Sequence, residues 1–468
     1  MLFHSPLFLL FLLAAVAGTA WLEGRRRACH LFLLAASYAF YMAWSARLIL
    51  LILFSTLLDY WAGAAIHRAS TQRARKLLLG VSLVGNLGVL ALFKYYGFFA
   101  ENLDAALAAL GVSADLPILR LVLPVGISFY TFQTLSYTID VYRGTLEPCR
   151  RFVDFALFVA FFPQLVAGPI VRASEFLPQL EARRRPTDGE VRGAIYLFLK
   201  GLTKKLLFAD VLASFFVDPV FKEPSAYGGL AILLAIYAFK FQIYGDFAGY
   251  SEMAIACGKL LGFDLPVNFR APYKARSFRD YWARWHLTLG RWFRDYLFFP
   301  LGGSRGTEAQ TYRNIVLTMT LVGLWHGAAW TFVVWGLYHG LMLSLERAWA
   351  ARHPGAESPS WLVPIQVFVV FNLTGVASFI FRAPDMRTLA SMARRLLAAG
   401  PLPEVPVWAG LLFVLAVVTH LAPERWKLAP RRVFEALPAP LEGVVAGLVL
   451  VLGLLVVDGL EPFYYFQF

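Results

Sequence analysis

Apolar residues in this chain come in runs of roughly 15 to 22, separated by short clusters of Lys and Arg. Runs near 3–22, 30–44, 47–66, 77–98, 121–141, 228–249, 361–381, 404–420 and 441–459 approach the length an α-helix needs to cross a bilayer. Arg25 to Arg27, the group Arg68, Arg73, Arg75 and Lys76, and the group Arg143, Arg150 and Arg151 bracket the first five. Lys and Arg collect on the cytoplasmic side, so alternation predicts a periplasmic N-terminus. In the first run, Leu2 to Trp21, the basic residues follow the apolar stretch, the reverse of a secretory leader, which predicts a retained helix.

Other segments are too broken or too basic to span simply. Residues 152–170 contain Phe162-Pro-Gln-Leu-Val-Ala-Gly-Pro169, whose prolines and glycine predict a kinked or re-entrant path. Residues 172–210 and 264–313 are mixed basic and aromatic and are expected on the cytoplasmic face. The apolar stretch from Ile315 to Leu345 is flanked by Arg313 and Arg347, so an even number of crossings is expected: two short helices, or a re-entrant pair, broken around Gly323 and Gly327. Arg382, Arg387, Arg394 and Arg395 fall where alternation wants the outside, which predicts an amphipathic helix there or one span more or fewer. The pattern predicts an all-α polytopic membrane protein with about ten to twelve transmembrane helices plus re-entrant and cytoplasmic amphipathic helices. It forms a single membrane domain over 1–468, with an N-terminal helix in 1–29 and C-terminal helices in 400–468.

Composition agrees: of 468 residues, 59% are hydrophobic and 16% charged, where a soluble chain carries about 25% charged. The net charge of +13 reads as orientation signal, with no aromatic-interleaved basic domain to suggest nucleic acid. Cys29, Cys149 and Cys257 are isolated, giving neither a disulfide framework nor a metal motif.

His326, in Gly323-Leu-Trp-His-Gly-Ala-Ala-Trp330, is the residue most at odds with its surroundings. An ionisable ring in an apolar run is costly and marks a candidate site. It reads as a general base, since imidazole titrates near neutrality, or as a core histidine bonded to a carbonyl. A second block runs from Asn268 to Gly303. Ser277 followed by Asp280 suggests a helix cap, and a helix over Phe278 to Phe293 would carry His286 among Arg284, Arg291 and Arg294. That basic surface could hold the phosphates of an acyl carrier nucleotide, or simply anchor at the membrane interface. His339 is expected to be structural, and His4, His30, His67, His353 and His420 fall at predicted ends or loops. There is no G-x-S-x-G, H-E-x-x-H, P-loop or GxGxxG, so histidine-centred acyl transfer is the chemistry best supported. A proton-coupled transporter is the rival class, but Asp59, Asp140 and Asp246, the only acids suited to it, lie near predicted span ends. A non-catalytic scaffold for a secretion complex is a weaker one.

Phe162 to Pro169, Gln242-Ile-Tyr-Gly-Asp-Phe-Ala-Gly-Tyr-Ser251, Tyr281 to His286 through Arg294-Asp-Tyr296 and Pro300-Leu-Gly-Gly303, and Leu324-Trp-His-Gly-Ala328 together resemble the membrane-bound O-acyltransferase (MBOAT) superfamily. The nearest branch is that of the alginate O-acetylase membrane subunit, and the resemblance spans roughly residues 30–385. It implies helices around a central tunnel, with His326 as the catalytic histidine and His286 as a second important position. Trp325, Gln242, Asp246 and Asp295 would line the substrate channel, and Arg284, Arg291 and Arg294 would bind the donor. It implies acyl-CoA, as acetyl-CoA, for donor substrate, no permanently bound cofactor or metal, and residence in the bacterial inner membrane. The acceptor implied is an exported polysaccharide or cell-wall glycan, reached through a periplasmic SGNH-type partner and the secretion machinery; a lipid, a peptide or D-alanylated teichoic acid are alternatives.

Overall fold

The computed structural model describes residues 1–112, 117, 119, 121–355, 358–456 and 463–464. Among the described residues the structure is helical, without strands, and divides into two compact units.

The first unit comprises Met1–Pro186 and Cys257–Leu265. Its helices are α1 (Pro6–Trp21), α2 (Arg26–Met42), α3 (Ile49–Arg68), α4 (Gln72–Leu90), α5 (Tyr96–Ala109), α6 (Ile127–Arg143), α7 (Phe152–Ala160), α8 (Phe162–Leu165) and α9 (Ala173–Ala182). A π-helical turn, Ala91–Tyr95, joins α4 to α5, so one apolar helix of 38 residues runs from Gln72 to Ala109. The expected break at 152–170 is present: α7 ends at Ala160, α8 is a single turn, and Gly168 lies so near Gln164 that a Cβ would sit 2.5 Å from its Cα. Gly126 starts α6 at φ 77, where its Cβ would stand 2.5 Å from the Leu165 carbonyl oxygen. Only glycine meets both demands.

Two buried polar groups hold this unit's helices together. Asp59, far from a span end, is buried at the middle of α3 and accepts hydrogen bonds from Ser82, from Thr138 at 2.7 Å and from Asn86 at 2.7 Å. His30, expected at an uninformative end, is buried with Nδ1 2.7 Å from Asp154 Oδ1. Cys29 and Cys257 are buried as apolar fillers and Cys149 is partly exposed.

The second unit comprises Thr187–Ala256 and Pro266–Phe468. Its helices are α10 (Asp188–Thr203), α11 (Asp218–Lys222), α12 (Gly229–Leu260), α13 (Phe278–Trp282), α14 (Leu287–Phe293), α15 (Glu308–His326), α16 (Trp330–Arg352), α17 (Val363–Arg382), α18 (Met386–Arg395), α19 (Val407–Leu421), α20 (Glu424–Glu435) and α21 (Ala439–Val456). The last turn of α12, from Cys257, belongs to the first unit.

α15 and α16 are the two helices expected over 315–345, and they touch at the backbone. A Cβ on Gly323 would lie 2.1 Å from the Phe332 carbonyl oxygen, and one on Gly336 2.3 Å from that of Met319. Small residues permit such close pairing where water supplies no hydrophobic drive. α18 is the amphipathic helix expected from its arginines; Arg395 donates to the Tyr227 carbonyl, and Arg382 pairs with Asp218 at 2.8 Å.

Four helices among the described residues are long and apolar enough to cross a bilayer alone, and a fifth span results if α19 and α20, bent by 106°, count as one. The sequence pattern suggested about ten to twelve because it counts apolar runs. Several of those fold as helices of 15 to 17 residues, such as α1, α2 and α19, and the Thr-rich α15 is less apolar than its neighbours.

Candidate active site

The helix expected over 278–293 is two helices, and the break between them makes the site. Ser277 caps α13 by accepting from the Asp280 N–H at 3.0 Å, and Glu346 accepts from the Phe278 N–H at 2.6 Å. α13 then stops, and His286 takes the left-handed conformation at φ 43, ψ 55. Asn268 stabilises that break. Its carbonyl accepts from the Leu287 N–H at 3.0 Å, and its side-chain oxygen accepts from the Thr288 hydroxyl at 2.7 Å. The free donors at the start of α14 are thus met by a residue far back in the chain, which a continuous helix would not allow. A non-glycine residue held at positive φ is backbone strain of the kind concentrated at functional sites.

His286 is 0% exposed and His326, the last residue of α15, is 3% exposed. Trp325 connects them: its ring centroid lies 6.1 Å from that of His286 and 4.9 Å from that of His326. Trp335 and Phe381 also meet the His326 ring, edge-on, at 5.1 and 5.3 Å. Phe247 packs on His286 at 4.6 Å. His286 lies outside the candidate spans, and burial lowers its pKa to about 3, so its imidazole is neutral at physiological pH.

Asp246, one residue before Phe247, is buried in the body of α12 and not near an end. Lys205 is buried with it and holds Asp246 at 2.9 Å and Asp210 at 2.7 Å. The other Asp246 oxygen accepts from the Tyr464 N–H at 2.7 Å. Phe463 is buried against Phe247 at 5.3 Å, one ring removed from His286. Gln242, one turn before Asp246, is also buried. Asp295 does not join this group: it pairs with the exposed Arg294 at 2.7 Å.

One ring away from His286 lies a cavity of about 1330 Å³, lined by α10, α12 and the bent pair α19 and α20. Phe269 lines it and stacks 6.4 Å from His286. Five cations, Lys200, Lys204, Arg270, Arg284 and Lys427, face it against the carboxylates of Glu252 and Glu424. Of the three arginines expected to bind the donor, Arg284 lines the cavity and is braced by Asp280 at 2.7 Å; Arg291 and Arg294 are not among its lining residues. The left-handed His286 ends the regular succession of helical faces between α13 and α14.

Sequence reasoning missed Lys205, Asp210 and His420. His420, read as lying at an uninformative end, is buried, lines the cavity, and accepts from the Tyr273 N–H at 3.2 Å. The one signal for Lys205 was a lysine followed five residues later by Asp210 in an apolar stretch. His339 is buried as expected, among Trp335 at 4.6 Å, Trp282 at 5.2 Å and Phe278 at 5.6 Å.

A multi-pass helical membrane protein with two buried histidines joined through an indole, one of them a ring away from a cation-lined cavity, has the makings of a membrane acyl-transfer enzyme. Residues 150–380 match the model of the membrane-bound O-acyltransferase family, and the chain belongs to that family; it is an O-acyltransferase and uses an acyl donor. Among its relatives is the probable alginate O-acetylase AlgI of Pseudomonas aeruginosa, 39% identical over 401 residues, which cover 86% of this chain and 75% of that protein. The Azotobacter vinelandii protein of the same name is 42% identical, over 82% of this chain and 76% of its own length. The peptidoglycan O-acetyltransferase of Helicobacter pylori is 34% identical, over 83% and 78% respectively.

Proposed function

We propose that this protein takes acetyl from acetyl-CoA on the cytoplasmic face of the inner membrane and passes it across for O-acetylation of an exported polysaccharide or cell-wall glycan. The observation that carries the reading is the joining of His286 and His326 through Trp325, with Phe269 linking His286 to the cation-lined cavity. Arg270, Arg284, Lys204 and Lys427 supply the charge-assisted donors that a nucleotide's phosphates require. Names of relatives that act on alginate and peptidoglycan support a glycan acceptor over a lipid or a peptide. The Streptococcus thermophilus teichoic acid D-alanyltransferase is more distant, at 28% identity over 55% of this chain.

In the reaction, the imidazole of His326 takes the proton of the acceptor hydroxyl as its oxygen bonds to the acetyl carbon. The carbon–sulfur bond breaks, and the departing thiolate takes the proton back from the imidazolium. Thioester and alcohol become ester and thiol, and the histidine ends as it began. His286, neutral and fixed at the break between α13 and α14, positions the reactants. The acceptor hydroxyl in this step belongs to a periplasmic SGNH-type transferase within the secretion machinery, which passes the acetyl on to the glycan, and the N-terminus faces the periplasm.

Proteoliposomes given radiolabelled acetyl-CoA on one face test both parts. Label is expected to leave the thioester slowly as free acetate, with water in place of the hydroxyl, and to reach a soluble glycan only when the partner is added. Acetylation of the soluble glycan by the purified protein alone would overturn the relay.

A further inference from the structure

The rings around His326 bear on how large an acyl group can react there, an inference that rests on the role for His326 given above. α15 supplies Trp325, α16 supplies Trp335 and α17 supplies Phe381, with centroids 4.9, 5.1 and 5.3 Å from the imidazole. All three stand edge-on, at interplanar angles of 75°, 84° and 76°. These are contact separations for aromatic rings, so three sides of His326 are filled to the density of a protein interior.

Two of these rings are also backed by others. Behind Trp335 stand His339 at 4.6 Å and Trp282 at 5.9 Å, and it touches Phe381 at 5.5 Å. Behind Phe381 stand Phe332 at 4.9 Å and Phe239 at 6.4 Å. Gly323 and Gly336 let α15 and α16 touch at the backbone, which leaves no space between the two helices at the height of His326. Phe332 is itself seated against Gly327, where a Cβ would lie 2.0 Å from its ring. A chain longer than acetyl, bound with its carbonyl at His326, would have to displace one of these packed rings and repack its neighbours.

We propose that Trp335 and Phe381 are specificity-determining residues that confine transfer at His326 to short acyl groups. Trp335 has the larger part, because it is the larger ring and borders both His326 and His339. Neither ring carries a group that reacts; they act by occupying space.

The test is a competition in which purified protein in liposomes meets acetyl-CoA and hexanoyl-CoA in one reaction, so that the product ratio does not depend on the folded fraction. Wild type is expected to favour acetyl. In Trp335→Ala the ratio is expected to move toward hexanoyl by about tenfold or more, and in Phe381→Ala in the same direction but less. An unchanged ratio in both variants, with acetyl turnover retained, would overturn the size limit, as would loss of turnover with both donors in Trp335→Ala, Trp335→Leu and Phe381→Ala alike. His326→Ala runs in parallel: if its acetyl turnover matches wild type, the base assignment fails, whatever the ratios in the ring variants.

Discussion

His326 and His339 are both buried, both on the α15–α16 hairpin, and both in contact with the same indole, Trp335, at 5.1 and 4.6 Å. They differ in where the backbone puts them. His326 ends α15, and Gly327 continues in extended conformation, so its imidazole sits at an interruption in the helix pair. His339 is in the body of α16, with Phe278, Tyr281, Trp282 and Tyr338 also packed around it. Burial is therefore common to the two, and the position at a chain break is what sets His326 apart. The same holds for His286, which occupies the break between α13 and α14.

The sharpest way to break the comparison is to remove each ring in turn. His326→Ala is expected to lower kcat for acetyl transfer by about 10² to 10⁴, the worth of a positioned general base. His339→Phe, which keeps the aromatic volume, is expected to stay within about threefold of wild type, as a packing change of similar size should. Equal losses from the two would remove the distinction.

Next in size is the charge cluster behind His286. Replacing Asp246 with Leu leaves Lys205 with only Asp210 and deprives the Tyr464 N–H of its acceptor. Breaking a buried ion pair from one side costs about 3–5 kcal/mol, so a lower unfolding temperature in detergent is expected. The double variant with Lys205→Met takes the cation from buried Asp210 as well, so it should be at least as unstable as the single. A double more stable than the single would show that Lys205 is left uncompensated once Asp246 is gone.

The cavity should respond more modestly and in a different parameter. Lys204→Ala with Arg284→Ala is expected to raise KM for acetyl-CoA about tenfold while leaving kcat near wild type, since each charge-assisted hydrogen bond is worth about 1.5–3 kcal/mol before solvent screening. A fall in kcat with unchanged KM would place these cations in the chemical step instead.

The smallest effect expected is in pH dependence. A pKa lowered to about 3 means His286 takes up a proton only as pH falls toward that value. No inflection between pH 5 and 9 should therefore belong to it, and a pH–rate profile of His286→Gln should keep every inflection that wild type shows in that window. An inflection lost in His286→Gln would show that the ring titrates in the working enzyme.

Much of the helical plan was legible in the chain because apolar run length and basic flanks are local properties. The paired helices over 315–345 followed from Arg313 and Arg347, and the break near His326 from Gly323 and Gly327. The break at His286 was not legible: Ser277 and Asp280 are a genuine cap, and nothing near them reveals that Asn268 supplies a second one. Lys205, Asp246 and His420 became informative only through partners distant in sequence, Asp246 for Lys205, Tyr464 for Asp246 and Tyr273 for His420. Arg291 and Arg294 fall outside the lining of the cavity that Arg284 faces, a separation that the unbroken helix expected over 278–293 could not have shown.

The most direct measurement is acetyl-CoA consumption by wild type, His326→Ala and His339→Phe, reconstituted side by side at equal amounts of folded protein. Turnover lost in His326→Ala and kept in His339→Phe is the predicted result. Turnover kept in His326→Ala would contradict the account at its centre.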